Sequence, residues 1–181
     1  MYFSRFISLL PAIAGLASAI PHSKRADTED ITIYAYGTNI SGLAIYAGST
    51  DGLAYIASAP SADLTAITWD VSSTDSTWNV TESNTTISVG SFYIVDTDSA
   101  FTAAGFLSSN STTPANAVTT GFKIFGGQVA LISNGSLLSQ FWATTTDTEG
   151  VYSLMWNSDG TSQDNSVPVA LKTMAPSTTT T

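Results

Sequence analysis

Apolar and polar side chains alternate with a period of two along most of this chain. Successive side chains of a β-strand point to opposite faces, so this period is typical of strands with one buried face. No stretch shows the 3.6-residue period of an amphipathic helix. The pattern predicts an all-β domain with strands near residues 31–36, 43–47, 53–58, 64–71, 77–81, 86–95, 104–107, 120–125, 128–133, 139–145, 150–156 and 167–172.

Short turn sequences separate these strands. A domain with so many short strands forms a β-sandwich or a closed β-fold, of which a trefoil-like arrangement is one form. The polar stretch 108–119 predicts the longest loop. Hairpin turns are expected where Gly, Asn and Asp supply the necessary backbone conformations, at Asp51-Gly52, Gly126-Gly127, Asn134-Gly135 and Asp159-Gly160.

Two segments resemble each other, residues 42–58 and residues 121–133, and both are expected to be hairpins. The similarity suggests an internal duplication of one β-unit. Chance similarity between two hydrophobic hairpins is the alternative. Residues 90–94 are a fainter third candidate, which keeps the trefoil-like arrangement open. Each hairpin is followed by a Leu and then a Trp, at Leu64 and Trp69 and at Leu138 and Trp142.

The N-terminus has the features of a secretory signal peptide over residues 1–19. Arg5 is followed by a short apolar stretch, and small residues precede the expected cleavage after Ala19. The apolar stretch is shorter than the ~20 residues that a membrane-spanning helix requires, and no second long one follows. We therefore expect a secreted, extracellular protein without a membrane span.

A short pro-segment, residues 20–25, follows and ends in the dibasic pair Lys24-Arg25, a typical processing site. We expect a single all-β domain over residues 30–173 and a disordered Ser/Thr-rich tail over 174–181. This organisation resembles small secreted or cell-surface proteins of filamentous fungi. The resemblance implies an extracellular or cell-wall location and names no activity.

Asparagine residues in Asn-X-Ser/Thr sequons are candidate glycosylation sites in a secreted protein. A glycosylated side chain must face solvent, which makes each sequon a prediction of surface exposure. The sequence contains five, at Asn39, Asn79, Asn84, Asn110 and Asn134.

The sole histidine, His22, lies in the segment expected to be removed, and cysteine is absent. These facts exclude a Ser-His-Asp triad, a cysteine nucleophile, a His/Cys zinc site and disulfides in the processed protein. Processing would leave Lys123 and Lys172 against 14 acidic residues, a net charge of −12. Nucleic acid is therefore an unsuitable partner. Phosphate-binding and dinucleotide-binding motifs are also missing, and we expect no cofactor and no metal.

Aromatic side chains sort by strand face. Trp69, Trp78 and Trp156 each share a strand face with apolar residues and are expected to be buried. Outward-facing aromatic side chains can stack on sugar rings. The alternatives are that a second layer covers this face of the sheet, or that these are ordinary surface aromatics. Four aromatics are expected to point outward: Trp142, Tyr34, Tyr36 and Tyr46.

Paired carboxylates could instead serve a glycoside hydrolase, which needs two acids on either side of the scissile bond. Most acids adjoin Thr, Ser or Gly in expected turns, where they cap the backbone, and no calcium-loop motif is present. The candidates are Asp70, Asp75, Glu82, Asp96, Asp98, Asp147 and Glu149.

The leading hypothesis is a noncatalytic glycoprotein that contacts polysaccharide or another cell-surface protein through outward aromatics. The alternatives are a glycan-directed hydrolase using an Asp/Glu pair, and a structural or effector protein without a small-molecule site.

Overall fold

A computed structural model describes residues 28–72 and 77–177. The predicted signal peptide with its cleavage after Ala19, the dibasic pair Lys24-Arg25, the acid Asp75 and residues 178–181 lie outside these ranges. Within them the protein consists of β-strands, turns and loops, and no helix is present. It follows that no helix of the described chain has the length and apolarity to cross a membrane.

The described residues form sixteen strands joined in one continuous hydrogen-bonded system. They are β1 (Thr28–Ile31), β2 (Tyr34–Gly37), β3 (Ile40–Gly48), β4 (Ala54–Ala57), β5 (Leu64–Val71), β6 (Trp78–Glu82), β7 (Ser88–Val95), β8 (Phe101–Ala103), β9 (Gly105–Leu107), β10 (Ala117–Val118), β11 (Phe122–Phe125), β12 (Gln128–Ser133), β13 (Ser136–Leu138), β14 (Phe141–Thr145), β15 (Tyr152–Asn157) and β16 (Ser166–Lys172).

Six of these strands close into a barrel, in the order β2-β3-β4-β15-β14-β16, with β16 pairing back to β2. All these pairings are antiparallel. Pairing of β4 with β15 joins segments about a hundred residues apart in the chain and completes the ring. The predicted all-β class is thus confirmed, in its closed form.

The remaining strands extend the barrel. β5 pairs with the C-terminal half of β3, and β6, β7 and β9 continue from it. β11, β12 and β13 form a meander that joins the barrel where Gln128 pairs with Lys172. Because β5 lies beside the end of β3, the loop before β5 comes close to the β3–β4 turn.

Inward-facing side chains from the barrel and the extension share one apolar core. Trp69, Trp78 and Trp156 are buried in it, as the strand alternation predicted. Phe92 occupies the centre of an aromatic group, with its ring centroid 5.1 Å from that of Trp69 and 5.0 Å from that of Phe122. Edge-to-face and tilted contacts of this kind add to the stabilisation from burial alone.

Two predicted hairpin turns have the expected geometry. Gly126 and Gly127 both have positive φ (56° and 83°) between β11 and β12. Asn134 and Gly135, between β12 and β13, also both have positive φ (49° and 78°), as a type I′ turn requires. The hairpins of the suggested duplication differ in their neighbours, since β4 pairs with β15 and β12 pairs with β13 and β16. The duplication stays a prediction.

The chain after β16 contacts the barrel over the part that the structure describes, and the disordered tail stays a prediction. Residues 174–177 lie against the outer surface of β2 and β3, with a hydrogen bond from the Tyr36 hydroxyl to the Met174 carbonyl oxygen (2.7 Å). Pro176 also approaches Gly42 there, as does the Tyr36 hydroxyl.

Candidate functional site

A cleft of about 540 Å³ opens on the outer surface between the β3–β4 turn, the loop before β5 and the β14–β15 turn. We call it the Tyr55 cleft. Its acidic side chains are Asp51, Asp63 and Asp147, and its apolar side chains include Leu64 and Val151. Tyr55 joins the two kinds of surface. Volumes of this size and mixed linings are typical of small-molecule sites.

The β3–β4 turn positions Asp51 as the fixed acid of the cleft. One carboxylate oxygen, Oδ1, accepts a hydrogen bond from the Leu53 backbone N–H (3.0 Å). The other, Oδ2, accepts one from the Tyr55 hydroxyl (2.6 Å). Gly48 makes room for this pair, because a side chain there would collide with the Asp51 carboxylate and approach the Tyr55 ring. Asp51 and Tyr55 are therefore held in one arrangement.

The surroundings of Tyr55 also change the pKa of its hydroxyl. Burial, followed by the hydrogen bond to Asp51 and its negative charge, raises the pKa of Tyr55 to about 12. Burial and, to a lesser extent, the same carboxylate raise the pKa of Tyr93. Tyr55 consequently stays a neutral donor to Asp51 across the physiological range.

Backbone turns present the other two acids. The carbonyl oxygen of Asp63 accepts a hydrogen bond from Ser49 N–H (2.9 Å), which ties the loop before β5 to the β3–β4 turn. Asp147 sits in the β14–β15 turn, where the Thr146 hydroxyl donates to the Val151 carbonyl oxygen (2.9 Å). Both carboxylates are on exposed residues and remain accessible to a ligand.

The apolar side of the cleft continues into a small buried cluster on the outside of the barrel. Leu64 packs there with Tyr46 and Ala57, and Tyr55 and Val151 lie against them. The cluster exists because Tyr46 of β3 stands opposite Tyr55 of β4 and beside β5. It gives the cleft a firm apolar wall.

A second cleft of about 400 Å³ lies on the other side of the β3–β4 turn. Its lining includes Glu82, Ile87 and Ser111. The sequon residues Asn84 and Asn110 immediately adjoin these segments, whereas none of the described residues that line the Tyr55 cleft is a sequon asparagine. Glycans at both sequons would crowd the second cleft.

The expectation of an accessible indole at Trp142 is wrong. Trp142 points away from the barrel core, but only 8% of it is exposed. The ring of Phe101 packs edge-on against it, with centroids 6.3 Å apart. Phe101 belongs to β8, a strand that the sequence pattern did not predict. β8 pairs with the edge of β15 opposite to β14, and the Phe101 ring contacts Trp142 from there. An outward-facing residue is thus covered by an unforeseen neighbour.

The predicted tyrosines fall into two neighbouring places. Tyr46 is also covered, with 7% exposed, because Ala57 and Leu64 pack on it. Burial, with a smaller effect of nearby Tyr34, raises the pKa of Tyr46. Tyr34 and Tyr46 line one cleft of about 390 Å³, and Tyr36 lines an adjoining one of about 300 Å³. Trp142 lines neither of them.

The sequon asparagines agree with the exposure that glycosylation would require. Three of them occupy turns with positive φ, at Asn39, Asn84 and Asn134 (62°, 61° and 49°). Asn79 lies within β6, where its Oδ1 accepts a hydrogen bond from the Ser91 hydroxyl (2.9 Å). All five, including Asn110, are exposed.

The acids considered for a hydrolase are dispersed. Asp96 has a structural role, because its Oδ1 accepts hydrogen bonds from Trp156 Nε1 and the Ser158 hydroxyl (both 2.9 Å). Asp70 accepts one from Asp30 N–H, and Glu82 lines the second cleft. Asp98 and Glu149 are exposed, and Asp147 alone of the described candidates lines the Tyr55 cleft. Across residues 28–72 and 77–177, no group of three or more acidic or His side chains is arranged to hold a metal ion.

Sequence reasoning missed Asp51, Tyr55 and Asp63. A usable signal was present for the first two, since Asp51 lies in a predicted hairpin turn four residues before a tyrosine. Asp63 comes near them only through the pairing of β5 with β3. No family model, curated protein or solved structure matches this chain.

Proposed function

We propose that this protein is a secreted, cell-wall-associated glycoprotein that binds a neutral polysaccharide in the Tyr55 cleft without catalysing a reaction. The observation that carries the proposal is the composition of that cleft. Accessible carboxylates at Asp63 and Asp147 face the same space as the apolar side chains of Leu64 and Val151. A sugar ring has hydroxyl donors at its edge and C–H groups on its faces, and this lining matches both.

Charge narrows the ligand class. No Lys or Arg is among the described residues that line the cleft, and the carboxylates make its potential negative. Sulfated, phosphorylated or uronic-acid polymers would be repelled. Neutral glucan, chitin or cellulose chains carry no such penalty.

A noncatalytic role is supported by the state of Asp51. Both of its oxygens already accept hydrogen bonds within the protein, so it serves to orient Tyr55 rather than to transfer protons. The hydrolase alternative retains Asp63 and Asp147, which line the same cleft and would be its acid pair. Extracellular location is supported by the signal-peptide features and by the exposure of every sequon asparagine.

The test is a glycan array with pull-downs on insoluble glucan, chitin and cellulose, using the secreted protein after enzymatic deglycosylation. Asp63→Asn and Asp147→Asn should each weaken binding about fivefold or more, because each removes a charged acceptor. Asp98→Asn is the matched control, since it makes the same charge change on an exposed residue outside the cleft. Equal binding by all four proteins, or none by wild type, would refute the proposal.

The hydrolase alternative makes a different prediction. It requires wild-type protein to release reducing sugar from one of these polymers and both cleft variants to lose that activity. Polymer binding without sugar release would leave the binding module as the function.

A further inference from the structure

The tail segment, residues 174–177, occupies a groove on the outer surface of β2 and β3. Two hydrogen bonds to its backbone fix its path. Thr173 N–H donates a hydrogen bond to the Gly127 carbonyl oxygen (2.9 Å). The Tyr36 hydroxyl then donates to the carbonyl oxygen of Met174 (2.7 Å). The chain leaves β16 in a defined direction and reaches Pro176 over β3.

Gly42 provides the seat for Pro176. It is the extra residue where the β2–β3 register shifts, since Ala35 pairs with Leu43 and Tyr36 with Ser41. Its φ of +73° is a conformation that favours glycine, as in many β-bulges. A side chain at Gly42 would lie 2.6 Å from Cβ of Pro176 and 2.9 Å from the Tyr36 hydroxyl. The bulge therefore makes a space that the proline ring fills.

Aromatic side chains border this seat on both sides. Pro176 lines the cleft that contains Tyr34 and Tyr46 and also the cleft that contains Tyr36. The Lys172 ammonium lies 5.1 Å from the centroid of the Tyr36 ring, a cation–π contact that helps to fix the ring. Tyrosine-lined grooves of this kind bind proline-containing extended peptides, which lose little entropy on binding.

We propose that this groove recognises a proline-containing, Ser/Thr-rich extended segment of another protein, and that the chain's own tail is its tethered occupant. The chemistry of the partner follows from the occupant. Its recognition features are a backbone carbonyl for Tyr36, a proline for the Gly42 seat and small residues around that proline, as in Ala175-Pro176-Ser177. The groove shares no lining residue with the Tyr55 cleft, and this proposal does not depend on sugar binding.

The experiment uses the full secreted chain and a synthetic peptide with the sequence of residues 173–181, titrated by calorimetry. A tethered tail competes at an effective concentration on the order of millimolar. Pro176→Gly should release it and strengthen peptide binding at least about tenfold over wild type. Adding Tyr36→Phe in that background should weaken binding by roughly three- to tenfold, because one hydrogen bond is lost.

Two controls make the result specific. Tyr152→Phe in the same background should leave affinity unchanged, and a peptide with alanine in place of its proline should bind at least about fivefold more weakly. An unchanged melting temperature shows that each variant is folded. Absence of peptide binding to Pro176→Gly, or equal binding by wild type and all variants, would overturn the proposal. A concentration-dependent dimer of wild type that Pro176→Gly abolishes would assign the groove to a second copy and overturn it too.

Discussion

Replacing Tyr55 by Phe removes one hydroxyl and tests how the cleft is held. The lost bond to Asp51 is 2.6 Å long, within the usual range of a hydroxyl donating to a carboxylate. Such charge-assisted bonds contribute about 1.5–3 kcal/mol when shielded from water. Asp51 is exposed, so water competes for its oxygen atoms. We therefore expect the free energy of unfolding to fall by about 1 kcal/mol at pH 7.

The pH dependence of this loss follows from the raised pKa. Tyr55 has a pKa of about 12 in the folded protein, above the ordinary tyrosine value of 10.0. A raised pKa means that the stabilisation is complete below pH 10 and disappears as pH rises toward 12. The difference between wild type and Tyr55→Phe should accordingly be constant from pH 6 to about pH 9.5 and then decrease.

Urea unfolding followed by fluorescence of the buried tryptophans measures this difference at each pH. Tyr152→Phe is the matched control, because its hydroxyl has no hydrogen-bond partner among the described residues, and it should leave the free energy of unfolding at pH 7 unchanged. Equal stability of wild type and Tyr55→Phe at pH 7 would refute the reasoning. So would a difference that persists unchanged to pH 11.5.

Substitutions elsewhere in the domain test the core packing, one close backbone approach and the burial of Trp142. Phe92→Ala should cost about 3–5 kcal/mol in urea unfolding, whereas Phe125→Ala, at a residue 54% exposed, should change stability by less than about 0.5 kcal/mol. Gly90→Ala should destabilise by about 2 kcal/mol more than Gly135→Ala in thermal melts, because a methyl group at Gly90 would collide with the backbone of β9 and at Gly135 would meet open space. Trp142→Ala should lower the free energy of unfolding by about 3 kcal/mol, since the ring is buried, yet leave glycan binding of the folded fraction unchanged in pull-downs.

Local structure was predictable because strand alternation and turn chemistry are local properties. Alternation placed Trp69 and Trp156 in the core, and paired turn residues located the tight hairpins at Gly126 and Asn134. The sequence did not decide between a β-sandwich and a closed β-fold. Closure depends on pairings between distant segments, such as β4 with β15. Periodicity does not encode which distant strands meet.

The candidate site shows the same division. Alternation predicted that Trp142 and Tyr46 face away from the main core, and neither belongs to it. Their exposure, however, depends on which residues pack over the outer face. Phe101 covers the first residue, and Leu64 helps to cover the second. The Tyr55 cleft likewise combines the β3–β4 turn and the loop before β5 with the distant β14–β15 turn, so composition alone could not locate it.

The most direct measurement of the central claim is a titration of the deglycosylated protein with a soluble neutral oligosaccharide, followed by amide chemical shifts in nuclear magnetic resonance. Binding in the Tyr55 cleft predicts saturable shifts at Thr50, Tyr55, Leu64, Asp147 and Val151, which line it. Asp147→Asn should weaken these shifts at a given ligand concentration. Saturable shifts confined to residues outside the cleft, or none with any neutral oligosaccharide that the glycan array selects, would contradict the account.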